Sequence, residues 1–212
     1  TTSGNSVTVP QSSANDGTFT YNLVSVQDAS STACSQAQTG SAIVTINPLP
    51  TATISGTTEI CVGAASPNVT FTGANGTAPY TFTYNINGSA NTTVTTTSGN
   101  SVTVPQSSAN DGTFTYNLIS VHDASSTACS QAQTGAATVT VYVNPIVNFT
   151  ADDLDGCVPI SVNFTNSSTP QSEQVVWDFG DGTTNTSSSS INMVNHKFNQ
   201  TGCFDITLTS TT

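Results

Sequence analysis

Gly112-Thr113-Phe114-Thr115-Tyr116-Asn117-Leu118 decides the fold class. Phe114, Tyr116 and Leu118 alternate with Thr113, Thr115 and Asn117, so one face is apolar and the other polar. A period of two is the mark of a half-buried β-strand, because successive side chains leave a pleated strand on opposite faces. Asn110-Asp111-Gly112 ahead of it is a turn signal. The same stretch stands at Gly17–Leu23, and the match widens in both directions. Residues 1–40 recur at residues 96–135 with two changes, Val24 to Ile119 and Gln27 to His122. A fixed 95-residue spacing is the signature of a tandem array, which builds length or surface more often than a unique active site.

The same alternation fills the rest of the unit. Val69 and Phe71, Tyr80 to Ile86, Val102 and Val104, and Val139 to Val143 each read as short strands. Gly73-Ala74-Asn75-Gly76, Asn87-Gly88 and Ser98-Gly99-Asn100 separate them. No helical stripe occurs, and about seven short strands at this spacing predict a Greek-key β-sandwich. Tyr80, Phe82 and Tyr84 fall on one strand face and read as core rather than as a sugar platform. Tyr142, out of phase with Val141 and Val143, is expected to be partly exposed. The second copy is two residues longer near its last strand, and an even insertion keeps the faces in phase.

Three domains follow: residues 1–47 as the C-terminal part of a repeat, 48–144 as a complete repeat, and 145–212 as a different domain. Asn47-Pro48-Leu49-Pro50 and Asn144-Pro145 are stiff, extended connectors, so the expectation is an all-β, end-to-end array of tandem sandwiches. The third domain has the same grammar in another sequence. Val147 and Phe149, Val162 and Phe164, Val175 to Phe179, Ile191 and Met193, and Phe204 to Leu208 mark its strands. It is expected to be truncated before its last strand, and the chain is expected to begin inside a repeat.

Charge excludes whole classes of function. Lys197 is the only basic residue against twelve carboxylates, a net charge of −11. Nucleic acid and anionic lipid are excluded as partners, because both are held by Lys and Arg. No stretch reaches the ~18 apolar residues of a membrane span, so no direct insertion is expected. The first residues contain no signal peptide.

Five cysteines remain: Cys34, Cys61, Cys129, Cys157 and Cys203. Cys34 and Cys129 are repeat equivalents, and the equivalent of Cys61 would lie before residue 1. Cys61 is therefore expected to pair with Cys129 and Cys157 with Cys203, leaving Cys34 unpaired by truncation. Each bridge would contribute about 4 kcal/mol by the loop-entropy argument. Such pairs imply an oxidising, extracellular compartment. The alternative is free buried thiols.

No catalytic set is recognisable, and the chain is read as not an enzyme. His122 replaces Gln27 at one repeat position, and His196 beside Lys197 has no Ser or Cys nucleophile near it in sequence. Asp152, Asp153, Asp155 and Asp178 supply the hard oxygens that Ca2+ prefers. They are candidate ligands for a weak Ca2+ site, against the plainer reading of a solvated acidic loop and a structural turn. No other cofactor is implied.

Val176-Trp177-Asp178-Phe179-Gly180-Asp181-Gly182-Thr183 resembles the signature of PKD domains, immunoglobulin-like sandwiches of microbial surface layers, adhesins and secreted hydrolases. Trp177, Asp178, Phe179, Gly180, Asp181 and Gly182 are its structural core. The likeness extends from Val147-Asn148-Phe149 through Cys157–Phe164 to Phe204–Leu208. Some PKD domains bind calcium, which the resemblance brings to the aspartates above. In the repeat, Glu59-Ile60-Cys61, Gly76–Tyr84 and Asp111–Leu118 resemble immunoglobulin-like repeats of giant Bacteroidetes surface proteins, including gliding-motility adhesins exported by type IX secretion. The resemblance implies a secreted cell-surface adhesin, with this region as a non-catalytic stalk. Its partners would be neighbouring repeats and an extracellular surface or glycan. The alternatives are an accessory spacer of a secreted hydrolase and a glycan-binding module.

Overall fold

The computed structural model describes residues 4–170, 174–188 and 192–211. The expected strand residue Ile191 lies outside them. Every regular element described is a β-strand, and no helix there is long and apolar enough to cross a membrane. The strands build several small antiparallel sheets, consistent with tandem β-sandwich domains, as the alternation predicts.

In the first copy, β1 (Gly17–Asn22) pairs with β4 (Ser41–Ile46), and β2 (Ser25–Gln27) pairs with β3 (Ser35–Ala37). The complete copy has β5 (Thr51–Ser55), β6 (Thr58–Cys61), β7 (Asn68–Ala74), β8 (Thr81–Ile86) and β9 (Thr92–Thr95). It continues with β10 (Ser101–Pro105), β11 (Gly112–His122), β12 (Ser130–Ala132) and β13 (Ala136–Tyr142). One sheet runs β10-β7-β5, and a larger one runs β6-β13-β11-β8-β9, with β12 also on β11. Their inward faces carry Val69, Phe71, Phe82, Tyr84, Tyr116, Leu118, Val139 and Val141, all buried. Phe71 lies 5.7 Å from Phe82 and 4.9 Å from Tyr84. Gly73 is fixed by packing: a Cβ there would come within 2.5 Å of the Tyr80 ring. Tyr142 is half exposed, as its phase predicts.

One register feature is absent from simple alternation. Leu118 and Val121 are both buried although they are an odd number of residues apart. The pairing of β11 with β8 shifts between Leu118 and Ser120. That bulge inserts Ile119 and returns Val121 to the inner face.

The third region has β14 (Phe149–Ala151), β15 (Ile160–Asn166), β16 (Gln174–Asp178), β17 (Thr184–Ser188), β18 (Met193–Phe198) and β19 (Thr207–Thr211). They form two three-stranded sheets, β14-β15-β18 and β17-β16-β19. Val162, Phe164, Val175, Trp177, Phe179, Val194, Phe198 and Leu208 fill the space between them.

The chain divides into two compact units. One holds Thr1–Thr58, Ser66–Ser107 and Thr113–Thr140; the other holds Glu59–Ala65, Ser108–Gly112 and Val141–Thr212.

Candidate functional site

The residues singled out for chemistry concentrate in the third region, around the strand that carries the tryptophan. Trp177 sits on β16, the central strand of its sheet, and is fully buried. Phe149 meets it edge-on at 5.2 Å, and Phe179 stacks parallel at 6.4 Å. Its indole Nε1 is buried without a protein hydrogen-bond partner. Alternation along β16 turns Asp178 outward, where its Oδ1 accepts a hydrogen bond from Gly180 N at 2.9 Å. Gly180 has φ +69°, and a Cβ there would come within 2.7 Å of the Asp205 carbonyl oxygen. Only glycine meets both demands.

Asp181 has two tasks. Its Oδ1 accepts from Thr183 N at 3.0 Å and from Thr183 Oγ1 at 2.5 Å, closing the turn. Its Oδ2 lies 2.8 Å from His196 Nε2. His196 is on β18, in the opposite sheet, so this contact joins the two layers. The imidazole also stacks on Phe179 at 3.9 Å and meets Phe198 edge-on at 4.6 Å. The Thr183 hydroxyl bond, followed by the bond to His196, holds the Asp181 carboxyl at about 2, below the ordinary 3.8. His196 is thus committed to a structural contact. Sequence reasoning missed this pair, because nothing in linear spacing indicates that residues 181 and 196 face each other across two sheets.

The four aspartates named as calcium ligands do not assemble. Asp152 accepts from Asn163 N at 2.8 Å and from Asn163 Nδ2 at 2.6 Å, bracing β14 against β15. Those bonds hold its carboxyl below the ordinary carboxylate range. Asp178 is occupied with its own turn. Asp153 and Asp155 line a concavity of about 510 Å3 at one end of the sandwich. Its walls include Phe149, Ile160, Phe164, Phe198 and Phe204, and Cys203 lies on its lining. Among the described residues, no group of three or more His, Cys, Asp or Glu is placed to hold a metal ion.

All five cysteines are free thiols in the structure. The positions of Cys61 and Cys129 follow from the sheet. Leu118 N donates to Gly135 O, and Thr115 Oγ1 meets Thr138 Oγ1, so β11 and β13 run antiparallel. Cys61 ends β6 beside Val62, whose N–H donates to Tyr142 O at the C-terminal end of β13. Cys129 O accepts from Asp123 N, just past the C-terminal end of β11. Cys61 and Cys129, expected to pair, are both free thiols in this structure.

The repeat contains a polar site that the sequence reading also missed. Asp123 is buried and accepts from Thr77 N at 3.0 Å and Ser125 Oγ at 2.7 Å. Burial alone would push its pKa up, but the bonds from Thr77, Ser125 and Cys129 outweigh it and hold the carboxyl below its usual range. The only signal was the Asp-x-Ser spacing of a local turn.

Comparison with known proteins adds three findings. No curated protein matches the chain. A solved structure described as a Ca2+-stabilized adhesin, which helps an Antarctic bacterium reach out and bind ice, is similar at 17% identity and a TM-score of 0.39. The similarity covers 87% of this chain and 49% of that one, so the chain spans about half the length of the structure it matches. Residues 142–212 match the PKD domain family, the region whose two sheets enclose Trp177, and carry a PKD domain.

Proposed function

We propose that this chain is a stalk segment of a long, secreted bacterial surface adhesin, and that its role is mechanical rather than chemical. One observation carries the reading: a nearly identical 40-residue sequence appears twice and is followed by a PKD domain. The distinctive polar groups of these regions, Asp123, Asp152, Asp178, Asp181 and His196, are occupied in holding turns and strands. Successive sandwiches joined by the Pro48–Pro50 and Pro145 connectors would each add roughly 40 Å if the strands follow the long axis. The resemblance to giant Bacteroidetes surface proteins supports display at the cell surface, type IX export and a part in gliding. Net charge of −11 keeps such a surface from self-association.

Small-angle X-ray scattering tests the reading. An elongated particle is expected, with its longest dimension near the sum of the domain lengths; a compact particle overturns it. A glycan array addresses the binding-module alternative, with no binding expected. The calcium expectation contracts to Asp153 and Asp155, the carboxylates of the acidic loop that border the concavity. An unfolding temperature that is the same in millimolar calcium and in chelator removes it.

A further inference from the structure

We propose that Cys157 and Cys203 form a redox-closed staple between the two sheets of the PKD domain, across the mouth of its concavity. Cys157 lies just ahead of β15, in the sheet β14-β15-β18, and Cys203 just ahead of β19, in the sheet β17-β16-β19. The two thiols therefore belong to opposite layers. Pairing and packing bring their strand starts to the same end. Ile160, three residues past Cys157, pairs with Phe198. Phe198 stacks on Phe204, the neighbour of Cys203, at 4.9 Å and 20°. Gly156 and Val158 on either side of Cys157 line the same concavity as Gly202 and Cys203. Both thiols are exposed, so a soluble oxidant reaches them. A bond here closes the apolar opening that Phe149, Phe198 and Phe204 border.

The chemistry is thiol–disulfide exchange with a small-molecule disulfide such as oxidised glutathione. One cysteine thiolate attacks a sulfur of the oxidant and releases one small thiol, giving a mixed disulfide. The second cysteine thiolate attacks the protein-bound sulfur and releases the other small thiol. The two protein thiols lose two protons and two electrons, and the oxidant becomes two thiols. Formation of the bond in the test does not depend on the adhesion reading, because the oxidant is supplied.

Lys197 makes the test direct. It is the only Lys or Arg in the chain and lies between the two cysteines. The full chain, and a variant with Cys34→Ser, Cys61→Ser and Cys129→Ser, are oxidised with glutathione disulfide. Remaining thiols are alkylated, the protein is denatured, and it is cut after Lys197. The fragment Phe198–Thr212 is expected to stay attached to the larger fragment until a reductant is added, with mass mapping to Cys157. Release without reductant, with Cys203 alkylated or carrying glutathione, overturns the proposal. So does a bond from Cys203 to any other cysteine in the full chain. Oxidation is also expected to raise the unfolding temperature of the PKD domain, and this rise should vanish in Cys157→Ser. An equal rise in that variant overturns the staple.

Discussion

Gly17–Gln27 and Gly112–His122 share a sequence apart from Val24/Ile119 and Gln27/His122, yet they lead different lives. Leu118 is 3% exposed and its counterpart Leu23 is 51% exposed; Val121 is 0% and Val26 54%; Val139 is 0% and Val44 38%. The second copy is covered because β8 pairs with β11 and Tyr84 stacks on Tyr116 at 5.9 Å. No counterpart of β5–β9 packs on the first copy among the described residues. What survives in both is local. Tyr21 donates to Gln11 as Tyr116 donates to Gln106. Asp28 accepts from Ser30 N and Ser30 Oγ as Asp123 does from Ser125. Short-range hydrogen bonds thus follow the short-range sequence, whereas burial follows partners that lie far away in the chain.

The largest test of this contrast removes the cover. Phe82→Ala should destabilise the complete repeat by about 3–5 kcal/mol, through lost burial and the cavity left behind. Denaturant unfolding measures it, and a change below about 1 kcal/mol would show that the front-half strands do not hold the core together. Next comes the same substitution at equivalent positions. Leu118→Ala is expected to cost about 2–5 kcal/mol. Leu23→Ala is expected to stay within about 0.5 kcal/mol, as for an exposed site. Equal losses would break the comparison.

A smaller effect concerns the paired turns. Asp123→Ala removes the buried acceptor that Thr77 N and Ser125 Oγ share and should cost about 1 kcal/mol. Among the described residues no counterpart of Thr77 is bonded to Asp28, and Asp28→Ala should give no resolvable change by calorimetry.

The smallest effect is in acid. The folded pKa of Asp123 lies below its unfolded value, so its stabilising share is complete above about pH 4 and is lost as pH falls through the folded value. Asp123→Ala should flatten the fall in unfolding temperature of the repeat below about pH 4. In the PKD domain, Asp181 at about 2 retains its share until the pH falls to near that value, where it protonates and the contact with His196 weakens. If Asp181→Asn leaves the acid limb of that domain unchanged, the cross-sheet pair contributes nothing there.

Much of the fold was legible because strands are periodic and turns have their own residues. Tyr80, Phe82 and Tyr84 are buried, as their common face implied. Trp177 and Phe179 lie in the core that their motif implied. The bulge at Ile119 escaped detection because Leu118 and Val121 break alternation only if both are known to be buried. The site was less legible. Asp152 and Asp178 look like free oxygen donors until Asn163 and Gly180 are seen bonded to them.

The sequence by itself determined the strand phase, the turns, the repeat and the Asp–Ser and Tyr–Gln bonds, since these depend on residues a few positions apart. Only the tertiary structure decided which apolar faces are buried and that Asp181 meets His196. The reason is physical: burial and cross-sheet contacts need a second layer, and one layer's sequence, repeated almost unchanged, reads the same whether or not that layer is there.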